Sequence, residues 1–444
     1  MLGGITMAAQ RLSSWGRVHK VEQEQVLFSN RSDVLASLAH KSKAYLAYGN
    51  GRSYGDSCLN PGGIALKTKR LDRYLSFDPI TGILSCEAGI LLSEILTLIV
   101  PQGWFLPVTP GTRFVSVGGA IANDVHGKNH HLRGTFGCHI RQLELLRSDG
   151  QRLICSTQNH ADYFAATVGG LGLTGLITWA EIQLSRICNS WIDVETIRYE
   201  SLDEFFDLSF ESGPDYEYTV SWVDGACLGK RLGRGLFMRG NHAPVNVVGP
   251  KYVSKTRSFP FVPPVSMINS LTLKAFNLAY YHKQLQKKAR LIQHYEPFFY
   301  PLDSFLEWNR IYGPSGFYQY QCVVPSQYSR EAMTELLTEI AKSGMASFLA
   351  VLKVYGDILS PGMLSFPLSG VSLALDFPNR GDKLQRLFTR LDSIISSANG
   401  RLYPAKDARM PGTLFRDGYL RWQEFSDYID PHFSSSFWRR VIGG

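Results

Sequence analysis

The sequence predicts an α+β protein of 444 residues, long enough for two or three domains with separate hydrophobic cores. Two observations support this fold class. The first 190 residues contain short strand-like segments separated by glycines, without the regular strand–helix alternation of a parallel sheet. From about residue 190 the segments are longer, and strand and helix patterns alternate. The content of 44% hydrophobic and 12% aromatic residues is typical of a globular chain.

In the N-terminal region, strands are predicted where short apolar or alternating runs lie between turn residues. These predicted strands are KAYLAYGN (43–50), GIALKTK (63–69), GILSCEAG (82–89), RLICSTQ (152–158) and LITWAEIQL (176–184). Apolar residues at helical spacing predict two helices, LLSEILTLIVPQG (91–103), which Pro101 and Gly103 end, and DYFAATVGG (162–170).

The second half predicts longer elements. A strand followed by a helix is expected in VETIRYESLDEFFDLSFESG (194–213). Two amphipathic helices and two strands follow, which are REAMTELLTEIAKSG (330–344), FLAVLKVYG (348–356), GVSLALDFP (370–378) and GDKLQRLFTRLDSIISSANG (381–400). These units indicate a second domain that differs in character from the first.

The net charge of +8 is concentrated in one region. Between Gly225 and Tyr295 there are twelve Lys or Arg residues and no Asp or Glu. Basic residues alternate there with apolar and aromatic ones, a composition that fits an anionic membrane, nucleic acid or a solvated surface loop. We expect contact with a membrane or a lipid phosphate, and no nucleic acid.

Seven cysteines occur without a C-x-x-C pair, which argues against a disulfide framework or a zinc ribbon and fits a reducing compartment. The N-terminus lacks the apolar core and cleavage site of a signal peptide. No apolar run reaches the roughly 18 residues of a membrane-spanning helix. We therefore expect a cytoplasmic protein that associates peripherally with the inner membrane.

Two short motifs lie in the wrong structural context for the chemistry they resemble. The glycines of 170–175 spell G-x-G-x-x-G, but a predicted helix precedes them and a predicted strand follows, the reverse of a dinucleotide-binding turn. Residues 51–55 spell G-x-S-x-G, but a turn-rich loop follows where a nucleophile elbow needs a helix. Neither a Rossmann site nor a serine hydrolase is predicted.

The segment VHGKNHHLRGTFG (125–137) puts three histidines beside a glycine turn. His126 and His130 are four residues apart and could bind zinc if the segment were helical. Gly127 and Gly134 disfavour a helix, so no metal site is predicted.

Two glycine-rich loops, YGNGRSYGD (48–56) and PGTRFVSVGGA (110–120), permit close approach of backbone N–H groups to an anion. A third such segment is GGLGLTG (169–175). Tight turns between strands would also explain the glycines, but not their clustering with His126. The three loops together indicate one large, phosphate-bearing cofactor.

Five segments carry the most distinctive patterns, namely GNGRSYGDSCLN (49–60), PVTPGTRFVSVGGAIANDVHGKNHH (107–131), TVGGLGLTG (167–175), LDSFLEWNRIYGPSGFYQYQ (302–321) and GRLYPAKDAR (400–409). In this order they resemble the decaprenylphosphoryl-ribose 2'-oxidases, flavoproteins of the vanillyl-alcohol-oxidase type. The resemblance covers most of the chain. It implies a two-part FAD-binding domain at 1–188, an α/β substrate domain with an antiparallel sheet at 189–395, and a C-terminal segment, 396–444, that returns to the FAD domain. Within the substrate domain, 225–295 is expected to be a basic, mobile, membrane-facing insertion.

The resemblance also implies the residues that contact FAD. They are Gly49, Asn50, Gly51, Arg52, Ser53, Tyr54, Gly55, Asp56, Gly111, Ser116, Val117, Gly118, Gly119, Asn123, Asp124, Val125, His126, Ile177 and Tyr403. Some relatives in this superfamily bind FAD covalently through a histidine in the first glycine loop. Residues 41–60 contain no histidine, so we expect non-covalent FAD.

Lys406 and His126 are the catalytic residues that the resemblance implies, and Gln319, Gln321, Lys353 and Lys406 would contact the substrate. A lysine beside the flavin would favour the negative charge that hydride transfer delivers, although Lys406 could equally be a surface lysine. Ala374 stands where the family often has a cysteine, which removes a reactive thiol.

The activity implied is oxidation of the 2'-hydroxyl of a polyprenyl-phosphate pentose to a keto sugar. This is the first half of an epimerisation of ribose to arabinose that a short-chain dehydrogenase/reductase partner completes. Two alternatives stay open. One is an aldonolactone or alditol oxidase acting on a soluble sugar, and the other is a non-catalytic, flavin-binding, membrane-associated protein.

Overall fold

A computed structural model of the chain describes residues 6–28, 30–38, 42–345 and 347–443. The strands before residue 189 are β1 (Thr6–Ser13), β2 (Lys20–Leu27), β3 (Tyr45–Tyr48), β4 (Ile64–Lys67), β5 (Tyr74–Asp78), β6 (Ile83–Glu87), β7 (Trp104–Phe105), β8 (Ile140–Leu146), β9 (Arg152–Cys155), β10 (Leu176–Gln183) and β11 (Ser185–Arg186). They form a four-stranded sheet in the order β1-β2-β4-β3 and a five-stranded sheet in the order β5-β6-β10-β8-β9, while β7 pairs with β11.

Five helices accompany these sheets, namely α1 (Arg31–Ser37), α2 (Leu92–Ile99), α3 (Val117–Ala122), α4 (His130–Arg133) and α5 (Ala161–Thr167). Every element predicted here from the sequence is present. The glycines of 170–175 lie between α5 and β10, so a helix precedes them and a strand follows, as predicted. The single turn of α4 confirms that the histidine segment is not a long helix.

The second half is built on one large sheet. Its strands are β12 (Trp191–Tyr199), β13 (Tyr218–Val223), β14 (Gly235–His242), β16 (Lys288–His294), β18 (Phe317–Pro325), β19 (Ala350–Tyr355), β20 (Gly370–Pro378) and β21 (Arg401–Leu402), with β15 (Arg257–Ser258) and β17 (Phe305–Leu306) forming a separate short pair. The order is β16-β12-β14-β13-β19-β20-β18-β21, and every pairing is antiparallel. The α+β prediction is therefore confirmed.

The helices of the second half are α6 (Leu202–Ser212), α7 (Ser270–His282), α8 (Tyr295–Phe299), α9 (Ser326–Ser343), α10 (Asp382–Ser397), α11 (Gly412–Gly418), α12 (Trp422–Ser426) and α13 (Ser436–Ile442). Of these, α9 and α10 contribute apolar side chains such as Leu336 and Leu387 to the core against the sheet. Each such buried leucine stabilises the fold by about 1.5–3 kcal/mol. Within the described residues, none of the helices is long and apolar enough to cross a bilayer.

The C-terminal segment joins both halves of the molecule. Its strand β21 extends the large sheet beside β18. Further on, Asp430 accepts hydrogen bonds from the backbone and hydroxyl of Ser148, and Arg440 in α13 forms an ion pair with Asp56 in the first glycine loop. The segment thus contacts the N-terminal half of the chain as well as the large sheet.

The basic span 225–295 does not form one insertion. Its two ends contain β14, in the interior of the large sheet, and β16, at its edge. Four of the twelve cations pair with carboxylates from outside the span, in the pairs Arg234–Asp224, Arg239–Glu195, Lys287–Glu204 and Arg290–Asp193. Strand pairing brings these acidic residues beside the span, a proximity that sequence composition alone does not reveal. The parts of the span outside the large sheet are therefore 225–234 and 243–287.

Candidate functional site

A cavity of about 380 Å³ lies between the N-terminal sheets and the large sheet, since residues of both line it. One side consists mainly of glycines and small residues from 47–54, 110–119 and 171–177, and we call it the glycine wall. Three lysines, Lys128, Lys353 and Lys406, also line the cavity, and we call them the amine wall. The two walls have different chemistry and different origins in the sequence.

In the glycine wall, side chains fix two loops against each other. The amide of Asn50 donates to the Phe114 carbonyl at 2.7 Å, and Ser116 Oγ caps α3 by accepting from the Gly119 N–H at 3.3 Å. Gly49 packs so closely on Ser116 that a Cβ there would collide with the hydroxyl. Gly51 has a φ of 62°, in the left-handed region that favours glycine. The loop conformations therefore depend on glycine.

The glycine wall fits a bulky cofactor that carries phosphates. A Cβ on Gly111 would meet no atom within 4 Å, and one on Gly119 would meet only Ser116 Oγ, at 3.1 Å. Buried donors without a partner also occur at the cavity, namely Nε of Arg52 and Nδ1 of His126. Free space beside the backbone and unpaired donors are what a diphosphate-linked ring system would occupy and bind.

Most residues predicted for the site line this cavity, and four do not. Those that line it are Gly49, Asn50, Gly51, Arg52, Ser53, Tyr54, Gly111, Ser116, Gly118, Gly119, Asn123, Val125, His126, Ile177, Gln319, Gln321, Lys353, Tyr403 and Lys406. The four that do not line the cavity are Gly55, Asp56, Val117 and Asp124, and other contacts hold each of them. Gly55 packs on the Asp407 backbone, Asp56 pairs with Arg440, and Val117 is fully buried in the core.

The fourth of these residues is Asp124. Its carboxylate accepts hydrogen bonds from the Gly137 N–H at 2.8 Å and from the Ser365 hydroxyl. Asp124 has a φ of 38° and is completely buried, and burial raises the pKa of its carboxyl group. It therefore holds the histidine segment in place from behind instead of facing the cavity.

His126 lies in an aromatic cage where the two walls meet. Its ring centroid is 5.1 Å from that of Tyr355, 5.6 Å from Phe366 and 5.3 Å from Tyr403. The side-chain amide of Gln321 donates to Nε2 at 3.0 Å, which requires a neutral ring protonated on Nδ1. Burial, and next the positive charge of Lys353, hold the pKa of His126 well below its usual range.

The three lysines of the amine wall are buried, and Lys353 repels both Lys128 and Lys406. Burial, with a contribution from Lys353, lowers the pKa of Lys128 to about 7, and burial lowers that of Lys353 to about 8. Lys128 donates to the Phe298 carbonyl and lies 4.4 Å from the centroid of the Phe298 ring. Such amines are partly neutral near pH 7, so they can accept a proton as well as bind an anion.

Lys406 lines the cavity and contacts the glycine wall at Tyr54. Its Nζ lies 3.8 Å from the centroid of the Tyr54 ring, and burial lowers its pKa. Asp376, a buried acid whose charge acts on Lys406, accepts a hydrogen bond from the Gln319 amide at 2.6 Å. The positive charge of Lys353 opposes, and the negative charge of Asp376 favours, the protonated state of Lys406.

Sequence reasoning did not assign Lys128 or Asp376 to the site. A signal existed for both. Lys128 follows His126 by two residues in the same unusual segment, and Asp376 is the one charged residue in the apolar strand GVSLALDFP. Ala374 lines the cavity, as its family position implies.

Among the described residues, no group of three His, Cys, Asp or Glu side chains is placed to hold a metal ion. His126 and His130 both face the ring of Tyr355, at centroid distances of 5.1 and 4.6 Å. All seven cysteines are free thiols.

Comparisons with known proteins agree with this geometry. Residues 29–156 match a family described as an FAD binding domain. The chain is 34% identical to the decaprenylphosphoryl-β-D-ribose oxidase of Mycolicibacterium smegmatis, with 97% of each chain covered. It is 30% identical to an uncharacterized protein of Streptomyces coelicolor, over 79% of this chain and 100% of that one. L-gulonolactone oxidase of Mus musculus is 30% identical over 34% of each chain.

Proposed function

The chain belongs to the decaprenylphosphoryl-β-D-ribose oxidase family and is an FAD-dependent oxidoreductase acting on CH–OH groups, and from this premise we propose that it oxidises the 2'-hydroxyl of a polyprenyl-phosphate pentose. The observation that carries the proposal is the match over 97% of both chains, which includes the substrate half. The lactone oxidase match covers 34% of each chain. A soluble lactone is therefore the less supported substrate.

The glycine wall would hold the cofactor, with Gly49, Gly111 and Gly119 leaving room for the diphosphate and the ring system. FAD, when bound, supplies the acceptor for the hydride that leaves the sugar carbon. The cofactor would be held non-covalently. The described residues that line the cavity include one histidine, His126, which is caged by aromatic rings, and one cysteine, Cys58. Burial raises the pKa of Cys58 to about 12, so its thiol is protonated and unreactive.

The amine wall would bind and deprotonate the sugar. The hydroxyl gives up its proton as the C2' hydride leaves, and the neutral fraction of Lys353 or Lys128 accepts that proton at Nζ. Lys406 places a positive charge where negative charge develops. Gln319 and Gln321 orient the ring hydroxyls through hydrogen bonds. His126 acts as a neutral group beside the cofactor, because its lowered pKa makes it a weak base.

The decisive experiment is anaerobic bleaching of the flavin absorbance by a panel of sugars. A polyprenyl-phosphate ribose should bleach the flavin at the lowest concentration, and the free pentose should require much more. L-gulonolactone and alditols are the alternative soluble substrates tested under the same conditions. Rapid bleaching by a soluble lactone instead of the lipid-linked pentose would contradict the substrate assignment, and no bleaching by any sugar would favour a non-catalytic flavoprotein.

The attachment of FAD has its own test. Acid precipitation of the yellow protein should release intact FAD into the supernatant. Flavin that remains with the precipitated chain, located by peptide mass spectrometry, would overturn the non-covalent assignment.

The keto sugar product would need a reductase to complete an epimerisation. A short-chain dehydrogenase/reductase with a nicotinamide cofactor has the chemistry to reduce the 2'-carbonyl from the opposite face. Adding such an enzyme should convert the lipid-linked keto sugar to the arabinose epimer. Accumulation of unchanged keto sugar would contradict this partner assignment.

The segment 243–287 would contact an anionic membrane. Within this segment five cations form no ion pair with the described residues, and they are Lys251, Lys255, Arg257, Lys274 and Lys283. Large apolar side chains on the same span are exposed to solvent, including Phe261, Val265, Leu271 and Leu278. Exposed apolar residues beside unpaired cations are typical of surfaces that bind anionic lipid.

Helix α7 connects this surface to the cavity. Its buried stripe is narrow and consists of Leu273, Asn277 and Tyr281, with the Asn277 amide donating to Asp224 at 2.8 Å. Leu271 remains 75% exposed, while Tyr280, near the end of the same helix, lines the cavity. A lipid tail could therefore stay in the membrane while its sugar enters the cavity. We propose peripheral association with the inner membrane on this basis.

Vesicle binding tests the proposal. Replacing Lys251, Lys255, Arg257 and Lys274 by Glu should weaken binding to anionic vesicles, since each basic residue contributes about 1 kcal/mol near such a surface. The matched control has the same charge change at four exposed residues elsewhere, which are Lys69, Arg70, Lys383 and Arg386. Only the first variant should lose turnover of lipid-linked substrate, and both should keep turnover of a short-chain analogue. Equal vesicle binding by the two variants would exclude the assigned surface.

A further inference from the structure

Arg440 in helix α13 binds two buried carboxylates from distant parts of the sequence. Its Nη2 donates to Asp56 Oδ1 at 2.7 Å and to Asp407 Oδ2 at 2.8 Å, and its Nε donates to Asp56 Oδ2 at 3.0 Å. Nη1 donates to the Met410 carbonyl. One guanidinium therefore joins the end of the first glycine loop to residues 403–407, which we call the lysine segment.

The first glycine loop and the lysine segment also touch directly beside the cavity. The N–H of Tyr54 donates to the Ala405 carbonyl at 2.9 Å. Gly55 packs on the Asp407 backbone, where a Cβ would collide with the carbonyl oxygen. Nζ of Lys406 lies 3.8 Å from the centroid of the Tyr54 ring, and both residues line the cavity. The place of Lys406 at the cavity thus depends on how these two segments fit together.

The fit requires a cation between the two carboxylates. Because Nη2 of Arg440 is bonded to both, the two acids lie close enough to repel each other. A buried carboxylate that loses its only cation is strongly unfavourable. Asp407 also accepts from the N–H groups of Arg409 at 3.1 Å and Met410 at 2.8 Å, so its position sets the turn that follows Lys406. Removing the guanidinium would therefore loosen the lysine segment from the glycine loop.

We propose that Arg440 is a positioning residue that holds the lysine segment on the first glycine loop and so keeps Lys406 in place at the cavity. The proposal deepens the proposed function, because it rests on Lys406 acting at the reacting sugar. Arg440 itself does not line the cavity and would touch neither the cofactor nor the sugar. Helix α13 would in this way contribute to catalysis from outside the cavity.

The first test compares Arg440→Gln with Arg439→Gln, both as FAD-loaded protein with saturating lipid-linked pentose. Arg439 is the matched control, because it lies on the same helix but donates to Asn60 and Ser434 instead of the two acids. Arg440→Gln should slow flavin reduction per bound flavin by roughly tenfold or more, since a misplacement of about 1 Å can have an effect of that size. Arg439→Gln should keep the parent rate.

A double variant separates positioning from general damage. In the Lys406→Met background, the addition of Arg440→Gln should cause no further slowing of flavin reduction, because the side chain that Arg440 positions is already absent. A merely structural defect would slow the parent and the Lys406→Met protein by the same factor.

Hydrogen exchange, followed by peptide mass spectrometry, gives a measurement that does not depend on the sugar. The N–H groups of Lys406 and Asp407 both donate to the Tyr403 carbonyl at 3.0 Å. Peptides that cover the lysine segment should exchange faster in Arg440→Gln than in the parent, because local opening becomes easier. The Arg439→Gln control should exchange like the parent.

Arg440→Lys is the second variant if Arg440→Gln does not fold. It keeps the positive charge but loses the planar fork that bonds both acids, so it should show the same two effects to a smaller extent. Unchanged exchange of the lysine segment would overturn the proposal. So would faster exchange with an unchanged rate of reduction, or equal slowing in the Lys406→Met background. If the parent does not oxidise the lipid-linked pentose, the proposed function fails, while faster exchange would still show that Arg440 holds the lysine segment.

Discussion

The glycine wall and the amine wall line the same cavity but are built in opposite ways. The glycine wall comes from three short segments, 47–54, 110–119 and 171–177, and its character depends on backbone conformation and missing side chains. The amine wall brings together lysines at 128, 353 and 406, from distant parts of the sequence. Its character depends on charges that are removed from water.

This difference separates two requirements of the site. A surface of backbone groups and free space can bind a large cofactor without storing electrostatic energy. A surface of desolvated amines is poised for chemistry, because burial brings their pKa values towards neutral pH. Substitutions should therefore affect binding on one wall and chemistry on the other.

Lys406→Met should give the largest effect and sharpen the comparison. The variant should retain bound FAD. Its FAD should be reduced by substrate more slowly, by a factor on the order of a hundred or more, because a preorganised charge is lost. Stopped-flow bleaching measures the rate, and the flavin-to-protein absorbance ratio measures occupancy. Loss of FAD at an unchanged rate of reduction per bound flavin would show that Lys406 acts in cofactor binding, as the glycine wall does.

Gly119→Leu should have the reverse effect, weaker FAD binding with an unchanged rate of reduction per bound flavin. Its Cβ would meet only Ser116 Oγ, so the fold should tolerate the side chain, which would enter the cofactor space. Overpacking of about 1–3 kcal/mol corresponds to roughly ten- to a hundredfold weaker FAD binding. Flavin fluorescence titration gives the affinity, and an unchanged thermal unfolding profile of the FAD-free protein is the control. Normal FAD affinity would exclude Gly119 from the cofactor site.

Lys128→Met tests whether the amine wall is strained by desolvation. The folded protein lowers the pKa of this lysine from 10.5 to about 7, so the unfolded chain binds more protons between these values. The stability of the parent should therefore rise with pH across this window, and the advantage of the variant should shrink by about 2 kcal/mol between pH 7 and 9. Denaturant unfolding at both pH values measures it. A constant difference would show that Lys128 is not desolvated.

His126→Ala should have the smallest effect. It should affect both FAD binding and the rate of reduction, since His126 lies where the two walls meet. Loss of the contacts to Tyr355, Phe366 and Tyr403 should weaken FAD binding by about tenfold, on the order of 1 kcal/mol. The rate of reduction should fall modestly as Gln321 loses its partner. Stoichiometric zinc in the parent, lost in this variant, would contradict the cofactor role.

The local elements were predictable from the sequence, and the pairings were not. The strand LITWAEIQL ends one residue beyond β10, and the helix predicted in LLSEILTLIVPQG begins at Leu92 and ends at Ile99, two residues before Pro101. The N-terminal hairpin of β1 and β2 was not predicted, and the basic span was treated as one insertion. Its strands β14 and β16 pair with β12, so the relevant neighbours are residues 191–199. Sequence composition could not show that Asp193 and Glu195 compensate Arg290 and Arg239.

The sequence by itself determined the short elements, the family resemblance and the glycine loops, because these depend on backbone conformation within a few neighbouring residues. Only the tertiary structure decided that Lys128, Lys353 and Lys406 share one cavity and that Asp124 does not line it. The physical reason is that a pKa depends on desolvation and on charges within several ångströms. Those neighbours come from β18, β19, β20 and the C-terminal segment. Strand pairing in the large sheet and the shared cavity bring these elements together.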